Sequence, residues 1–123
     1  MKRVLVVDDD DDMRALMVML LSSTYDVAVA RDGAEGLEMA RRLLPDLVVL
    51  DLLMPRMHGF EVCHHIRADA ALKAVKVLIS SSKSYQHDMK TAVDETGADA
   101  YIVKPFDITD FKVRVAALLG EAP

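Results

Sequence analysis

The sequence has a single cysteine, Cys63, which excludes an internal disulfide and indicates a reducing compartment such as the cytoplasm. No apolar run approaches the roughly 20 residues of a membrane span, and no signal peptide precedes the first predicted strand. Basic residues are not in surplus either. The net charge of −5 argues against a duplex DNA-binding surface, which needs a basic face. We therefore expect a cytoplasmic domain that binds neither membranes nor nucleic acid directly.

The residues that are present indicate one globular domain. Hydrophobic residues make up 52% of the 123 positions and charged residues 28%, a balance typical of a folded chain with a real core. Apolar runs with strand character alternate five times with segments of helical character. Predicted strands occupy residues 2–7, 26–30, 47–51, 75–80 and 100–103, and predicted helices occupy residues 11–23, 33–44, 60–68, 84–96 and 107–119.

This alternation predicts an α/β fold of the doubly wound, flavodoxin-like kind. We expect a five-stranded parallel sheet in the order 2-1-3-4-5, flanked on its two faces by five helices. In such sheets, ligands bind beyond the carboxyl ends of the strands, at the point where the strand order reverses. For this order the reversal lies between the first and third strands, so we expect the site at the ends of those two strands.

The third predicted strand ends in a carboxylate that its own sequence does not explain. Residues 47–50 are all apolar and are typical of a strand buried on both faces, and Asp51 follows them directly. Removing a lone carboxylate from water is costly, and a buried strand has no packing use for it. We therefore expect Asp51 at the rim of the sheet, with a cation beside it.

Polar residues stand at the ends of four of the five predicted strands. Asp8 and Asp9 follow the first strand, Asp51 ends the third, serines end the fourth and Lys104 ends the fifth. Because the carboxyl ends of parallel strands lie along one edge of a sheet, we expect these side chains to converge on one pocket.

The residue types in this pocket are those that phosphoryl transfer to a carboxylate requires. Three carboxylates repel one another unless a cation lies among them, and oxygen ligands favour Mg²⁺ over zinc. A metal-neutralised Asp51 can act as a nucleophile toward a phosphoryl group, which gives an aspartyl phosphate. Lys104 supplies an ammonium group, and Ser81 or Ser80 supplies a hydroxyl, to balance the charge on the transferred group.

The same residues belong to a set of motifs that extends from residue 4 to about residue 119. The motifs are Val7-Asp8-Asp9, Asp51-Leu52-Leu53-Met54-Pro55 with Gly59, the serine after the fourth strand, Gly97-Ala98-Asp99 and Lys104-Pro105-Phe106. With this set, the chain resembles the receiver domains of two-component response regulators, of the chemotaxis-regulator type. The resemblance implies one receiver domain over residues 1–123. It also implies a signalling switch rather than a turnover enzyme, since a receiver catalyses only its own phosphorylation and dephosphorylation.

The resemblance implies a set of site residues as well. Mg²⁺ would be held by Asp8, partly through water, by Asp9 and Asp51, and by the backbone carbonyl of Leu53. A histidine kinase or histidine phosphotransferase would phosphorylate Asp51, and the peptide bond before Pro105 would be cis. Because Leu53 cannot hold an attacking water with its side chain, we expect slow hydrolysis of the phosphorylated form.

A conformational switch is also implied. In the family, a threonine or serine hydroxyl rotates onto the phosphoryl group, and an aromatic residue on the last strand, here Tyr101, turns inward with it. The motion remodels the surface of the fourth helix, fifth strand and fifth helix, where an output partner or a second copy of the chain would bind. The segment from the serines to Gly97 is slightly longer than is usual in the family. Matching the two patterns makes Ser81 the switch hydroxyl, with Ser80 second and Ser82 third.

Other interpretations of these residues are weaker. Asp8-x-Asp10 after a first strand also resembles the haloacid-dehalogenase-like phosphatases, whose nucleophile is a first-strand aspartate. Asp12, however, stands where those enzymes have threonine or valine. A calcium loop is excluded because Met13 replaces the required glycine and Met19 replaces the bidentate glutamate.

The first predicted helix has more apolar residues than one packed face requires. We expect a core face and an apolar outer face, formed by Met13, Leu16, Met17 and Leu20 and by Ala15, Val18 and Met19, respectively. An outer face that includes a methionine suits docking of another helix, and we expect it to meet the helices of the phosphodonor.

The output of the switch stays open at this level. The chain fits a stand-alone receiver that relays to a protein target, and it fits equally the receiver segment of a longer DNA-binding or enzymatic regulator. No motif names the kinase, the signal or the target.

Overall fold

The computed structural model of the chain describes residues 1–52, 54, 57–82 and 97–121. The strands are β1 (Arg3–Val7), β2 (Asp26–Ala30), β3 (Leu47–Asp51), β4 (Lys76–Ser82) and β5 (Ala100–Lys104); the helices are α1 (Asp11–Leu21), α2 (Gly33–Leu43), α3 (Gly59–Ala68) and a C-terminal helix (Ile108–Leu118). The sequence predicts each of these nine elements to within two residues at either end. The predicted helix over residues 84–96 lies outside the described residues. Within the described part of the chain, no helix is long and apolar enough to cross a lipid bilayer.

The five strands form one parallel sheet in the order β2-β1-β3-β4-β5, which confirms the predicted topology. The strand order reverses between β1 and β3, whose carboxyl ends carry Asp8 and Asp51. Asp51 is in register with Ser80 of β4, and Lys104 of β5 is in register with Ser82. The predicted site residues therefore stand side by side along one edge of the sheet.

The alternation of side chains along the strands divides the core into two layers. One layer packs between the sheet and helices α2 and α3, and the other between the sheet and α1 with the C-terminal helix. In β3, Val48 and Leu50 belong to the first layer and Val49 to the second. The first layer is tight where α2 crosses β1, since a Cβ atom on Gly36 would lie 2.7 Å from a methyl group of Val7.

Aspartate side chains cap three of the described helices. Asp10, Asp32 and Asp107 accept hydrogen bonds from backbone N–H groups in the first turns of α1, α2 and the C-terminal helix. Each cap contributes about 1 kcal/mol to stability. The Asp10 cap begins α1 directly beyond the acids at the end of β1. Asp10 thus has a structural role there, and Asp11 and Asp12 are exposed in the first turn.

Candidate functional site

Strand alternation brings the acids and the lysine to the same face of the sheet. Asp8, Asp51 and Lys104 each stand two residues beyond a buried apolar side chain of the layer under α1 and the C-terminal helix. Those preceding residues are Val6, Val49 and Ile102. A strand continues its alternation past its last apolar residue, so all three polar side chains are directed over the same layer. The site is therefore built on a rigid apolar base.

Lys104 is shared between two buried carboxylates. Its Nζ atom lies 2.9 Å from Oδ2 of Asp8 and 3.3 Å from Oδ1 of Asp51. The side chains of Asp8, Asp51 and Lys104 are 1%, 11% and 18% exposed, respectively. At these distances and this depth the ion pairs are only weakly screened by solvent. One ammonium group thus balances two carboxylates, and one negative charge is left over.

Asp8 is fixed on three sides by neighbouring groups. Its Oδ1 accepts a hydrogen bond from the backbone N–H of Asp10 at 2.9 Å. Its backbone carbonyl accepts one from Nη1 of Arg14 at 2.7 Å, and its backbone N–H donates to the carbonyl of Ala30 at 3.2 Å. These bonds hold the Asp8 carboxylate toward Lys104 before any ligand arrives.

Asp9 completes a cluster of oxygen atoms. One carboxylate oxygen from each of Asp8, Asp9 and Asp51 lies within 4.8 Å of the others, and Asp9 is exposed while its two neighbours are buried. Three carboxylates and one ammonium carry a net charge of −2 when all are ionised. The donors are all hard oxygen atoms, and one side of the cluster is open to water. This donor set fits a divalent cation of the Mg²⁺ type and offers nothing to zinc, which prefers nitrogen and sulfur.

The electrostatics of the cluster show how strongly it needs a cation. Burial, and next the charge of Asp8, raise the pKa of Asp51 from 3.8 to about 7, although Lys104 pulls it in the opposite direction. Burial alone would lower the pKa of Lys104, but the hydrogen bond to Asp8 and the charges of Asp51 and Asp8 outweigh it and raise that pKa. Lys104 therefore stays charged, and Asp51 is partly protonated near neutrality unless a metal ion displaces the proton.

The three consecutive serines occupy different environments. Ser81 is buried and lines a cavity of about 230 Å³ together with Ser82, Lys104 and the acids of the cluster. Ser82 is exposed, at the end of β4. Ser80 does not line the cavity, is fully buried, and its Oγ atom has no hydrogen-bond partner among the described residues. A larger cavity of about 390 Å³ between α1 and the C-terminal helix shares no residue with the acidic one and has no carboxylate in its lining.

Tyr101 lies apart from the acids in this structure. It is half-buried on β5, in register with Ile79, and packs against the layer under α2 and α3. It does not line the acidic cavity. Its backbone carbonyl accepts a hydrogen bond from Nη1 of Arg114 at 2.9 Å, which connects β5 to the C-terminal helix. The switch role of Tyr101 stays a prediction.

The peptide bond between Lys104 and Pro105 is cis, as predicted. Leu53 and Pro55 lie outside the described residues, so the carbonyl of Leu53 stays an expected ligand. The neighbouring Leu52 is buried, and its N–H donates to the carbonyl of Ser80 at 3.0 Å, which extends the pairing of β3 and β4 past Asp51.

Two further residues support the site: Gly59, which belongs to the motif set of the sequence, and Arg14, which does not. Gly59 is required at the start of α3, because a Cβ atom there would lie 2.4 Å from the backbone oxygen of Asp51. Arg14 holds the carbonyl of Asp8, as described above. The only sequence signal for Arg14 is that a lone cation follows the acids of residues 8–12 by less than one helical turn.

Comparisons with known proteins agree with this geometry. The sequence profile of the family described as response regulator receiver domain matches residues 4–116. The chain is 39% identical over 120 residues to the DNA-binding dual master transcriptional regulator RpaA of Synechocystis, covering 97% of this chain and 49% of that protein. It is 40% identical over 119 residues to the DNA-binding response regulator MtrA of Mycobacterium tuberculosis, covering 96% of this chain and 50% of that protein. The chain thus spans about half the length of these curated relatives.

Solved structures show the same fold over nearly the whole chain. The chemotaxis response regulator CheY4 of Vibrio cholerae superposes with a TM-score of 0.88 at 28% identity, covering 96% of this chain and 98% of that one. The receiver domain of Francisella response regulator 1452 gives a TM-score of 0.86 at 27% identity, covering 98% of both chains. The matched profile is that of a receiver domain and gives no support to the alternative of a haloacid-dehalogenase-like phosphatase. With the matched profile, the shared fold and the acid–lysine pocket together, this chain belongs to the response regulator receiver domains, the phosphoacceptor switches of two-component signalling.

Proposed function

We propose that the chain is a single receiver domain, over residues 1–123, in which Asp51 takes a phosphoryl group from a histidine kinase or a histidine phosphotransferase. The observation that carries the proposal is the position of Asp51. It is buried at the reversal point of the sheet, 3.3 Å from the Lys104 ammonium, and one of its carboxylate oxygens lies within 4.8 Å of one from each of Asp8 and Asp9. Location in the cytoplasm is part of the proposal, as is a regulatory rather than an enzymatic role.

The transfer reaction uses groups that are already in place. An oxygen of Asp51 forms a bond to phosphorus as the phosphorus–nitrogen bond of the donor phosphohistidine breaks, and the electron pair of that bond stays on the imidazole. The Lys104 ammonium lies where it can balance the charge of the transferred group. Ser81, which lines the same cavity, offers a hydroxyl as a further donor. Later attack by water at phosphorus releases inorganic phosphate and restores the carboxylate.

Asp8, Asp9 and Asp51, with the carbonyl of Leu53, would hold Mg²⁺. When bound, the ion supplies charge neutralisation for the carboxylates and for the phosphoryl oxygens. The chain's own contribution is to fix Asp8 through Asp10 and Arg14 and to keep Asp51 largely out of water. The acyl phosphate then forms in a site that needs little rearrangement.

The direct test is phosphorylation by a small donor. In the presence of Mg²⁺, acetyl phosphate is expected to add one phosphoryl group to the intact chain, as seen by mass spectrometry, and peptide mapping after borohydride trapping is expected to place it on Asp51. Excess EDTA is expected to prevent the reaction, because the carboxylates and the incoming phosphoryl group then lack the divalent cation that balances their charge. Labelling at another residue, or labelling that is unaffected by EDTA, would contradict the proposal.

Leu53 provides a prediction about the lifetime of the phosphorylated state. A Leu53→Asn variant is expected to lose its phosphoryl group about 10-fold faster than the wild type, because a side-chain amide at that position can orient the attacking water. The measurement is the first-order decay of the phosphorylated chain after donor removal. Leu44→Asn, at an exposed leucine beyond α2, serves as the matched control and should decay at the wild-type rate.

The outer face of α1 is the proposed docking surface for the phosphodonor. Met17 is buried and Met13 and Leu20 pack beside it, whereas Ala15 is exposed and Met19 is 71% exposed. Of the predicted outer residues, Val18 is half-buried, and Leu16 on the predicted core face is half-buried as well. Exposed methionine and alanine beside the acidic pocket leave room for an incoming helix.

Substitutions on this face should separate docking from chemistry. Met19→Glu and Val18→Glu are each expected to slow phosphotransfer from the cognate histidine kinase about 10-fold, since each introduces an unpaired charge into an apolar contact. Phosphorylation by acetyl phosphate should not change. Val29→Glu, at a partly exposed valine on β2, is the control. Wild-type kinase transfer in both α1 variants would rule out this surface.

We also propose how the switch passes its signal on to a partner. RpaA and MtrA are DNA-binding regulators about twice the length of this chain, whereas this chain covers 98% of the solved CheY4 chain, so a receiver of this kind can act inside a longer regulator or by itself. In either case the expected output surface is that of the helix predicted over residues 84–96, β5 and the C-terminal helix. Either a partner or a second copy of the chain would bind there.

A further inference from the structure

Ser80 is a buried hydroxyl group beside the proposed phosphoacceptor. The residue is fully buried in β4, and its Oγ atom has no hydrogen-bond partner among the described residues. In the sheet it is in register with Asp51 on one side and with Ile102 on the other. A buried hydroxyl without a partner destabilises a fold, because it has lost its hydrogen bonds to water and has formed none within the protein. The unpaired hydroxyl of Ser80 therefore lowers the free energy of unfolding in the state that the structure shows.

The path of the Lys104 side chain indicates that Ser80 lies on the same face of the sheet as Lys104 and Asp51. Lys104 starts on β5, and its ammonium reaches Asp51 on β3 and Asp8 just after β1, so its side chain must cross β4. Ser80 stands two residues after Leu78, whose side chain belongs to the layer under α1 and the C-terminal helix. By alternation, Ser80 lies on the face that Lys104 crosses and that Asp51 shares.

We infer that Ser80 is a positioning residue for phosphoryl transfer, whose hydroxyl donates a hydrogen bond to Asp51 once the Lys104 ammonium turns toward the phosphoryl group. The inference rests on the proposed function. When one Asp51 oxygen bonds to phosphorus and the donor's bond to phosphorus breaks, the donor group leaves with that electron pair. The other Asp51 oxygen becomes the carbonyl of an acyl phosphate. That oxygen is neutral, so it no longer requires an ammonium group, but it still accepts a hydrogen bond. Ser80, which is in register with Asp51 on the neighbouring strand, has a hydroxyl that can donate it.

Ser81 and Ser80 thus have separate roles. Ser81 lines the cavity and faces the incoming group, whereas Ser80 lies outside the cavity lining and can reach Asp51 only from within the sheet. Two hydroxyls on adjacent residues therefore act on opposite sides of the same acyl phosphate.

The test uses Ser80→Ala, in which stability and phosphoryl chemistry should change in opposite directions. In metal-free buffer, the variant is expected to unfold about 3 °C higher than the wild type, because an unsatisfied hydroxyl has been removed. With Mg²⁺ present, its affinity for beryllium trifluoride and its rate of phosphorylation by acetyl phosphate are each expected to fall about fivefold. A residue with only a structural role would not give a more stable protein with a weaker site.

Two further variants make the result decisive. Ser80→Cys keeps a weak donor of similar size and should give intermediate values, and it also serves if Ser80→Ala fails to fold. Ser23→Ala, at an exposed serine after α1, should change none of these measurements. Wild-type affinity and rate in Ser80→Ala overturn the inference, as does a parallel loss of stability and activity. If the wild type itself takes up neither probe, the proposed function fails, and the inference about Ser80 fails with it.

Discussion

Replacing Lys104 with methionine is expected to slow phosphorylation of Asp51 by acetyl phosphate about 10²–10³-fold, the usual effect of removing one charge-stabilising donor from a reaction site. The ammonium lies 2.9 Å from Asp8 and 3.3 Å from Asp51, and within the described residues it is the only cation bonded to either side chain. The same variant is expected to bind Mg²⁺ more tightly than the wild type, because a competing positive charge has been removed from the carboxylates. Rapid-quench kinetics and calorimetric titration with Mg²⁺ measure the two effects.

Lys104→Arg is the matched control for charge. It keeps a cation at the site, so Mg²⁺ affinity should stay close to that of the wild type. Its planar guanidinium does not reproduce a compact ammonium, and phosphorylation should still be slowed. If Lys104→Met is phosphorylated at the wild-type rate, the lysine only balances charge in the resting state and takes no part in the transfer.

The second large effect concerns stability and pH. In EDTA at pH 8, Asp51→Asn is expected to raise the free energy of unfolding by about 2 kcal/mol. The pKa of Asp51 is raised from 3.8 to about 7, chiefly by burial and by Asp8. Between these values the folded chain binds a proton that the unfolded chain has already released, so the wild type loses stability as the pH rises through this window. Asparagine does not ionise and avoids the loss.

Low pH and Mg²⁺ should each reduce the difference in stability between the wild type and Asp51→Asn. At pH 4 the Asp51 carboxyl is protonated in most folded and many unfolded molecules, so the two proteins should differ little. Saturating Mg²⁺ at pH 8 should stabilise the wild type more than the variant, because the ion binds the folded carboxylates. Asp12→Asn, an exposed acid in the first turn of α1, should change stability by less than about 0.5 kcal/mol at either pH. A variant that is no more stable than the wild type at pH 8 would show that Asp51 is not strained by its surroundings.

Together these results would describe a site in which the arrangement of charge that serves phosphorylation also lowers the stability of the fold. The cluster contains an excess of negative charge in a largely buried position, which the fold tolerates in the metal-free state by keeping a proton on Asp51. In the proposed function, the same excess would create the affinity for a divalent cation and would place an anionic nucleophile where a phosphoryl group can be received. The proposed role of Ser80 follows the same pattern, because a hydroxyl without a partner in the resting state acquires one when Asp51 is phosphorylated.

The sequence predicted the sheet correctly because its signals are local. Runs such as residues 47–50 are apolar at every position, as strands covered by helices on both faces must be. Aspartates at positions 10, 32 and 107 begin helices because their side chains satisfy free backbone N–H groups within the same turn. Short connections between strands and helices then restrict the topology to a parallel, right-handed order.

The three serines show where local signals end. Nothing in Ser80-Ser81-Ser82 distinguishes one hydroxyl from the next, and matching a family pattern only ranks them. The structure separates them through register: Ser80 is opposite Asp51 and closed off from water, Ser81 lines the cavity, and Ser82 is exposed beside Lys104. The residue that sequence reasoning placed second as a switch hydroxyl thus has a different environment from the one it placed first.

The sequence by itself determined the order of strands and helices, the identity of the acids at the ends of β1 and β3, and the need for a cation near them. These follow from periodicity and from the cost of burying charge, both of which can be read along a chain. Only the tertiary structure decided that one ammonium serves both Asp8 and Asp51, that Arg14 and Gly59 support them, and that Ser80 has no partner among the described residues. Such facts depend on distances between strands far apart in sequence, which no local pattern contains.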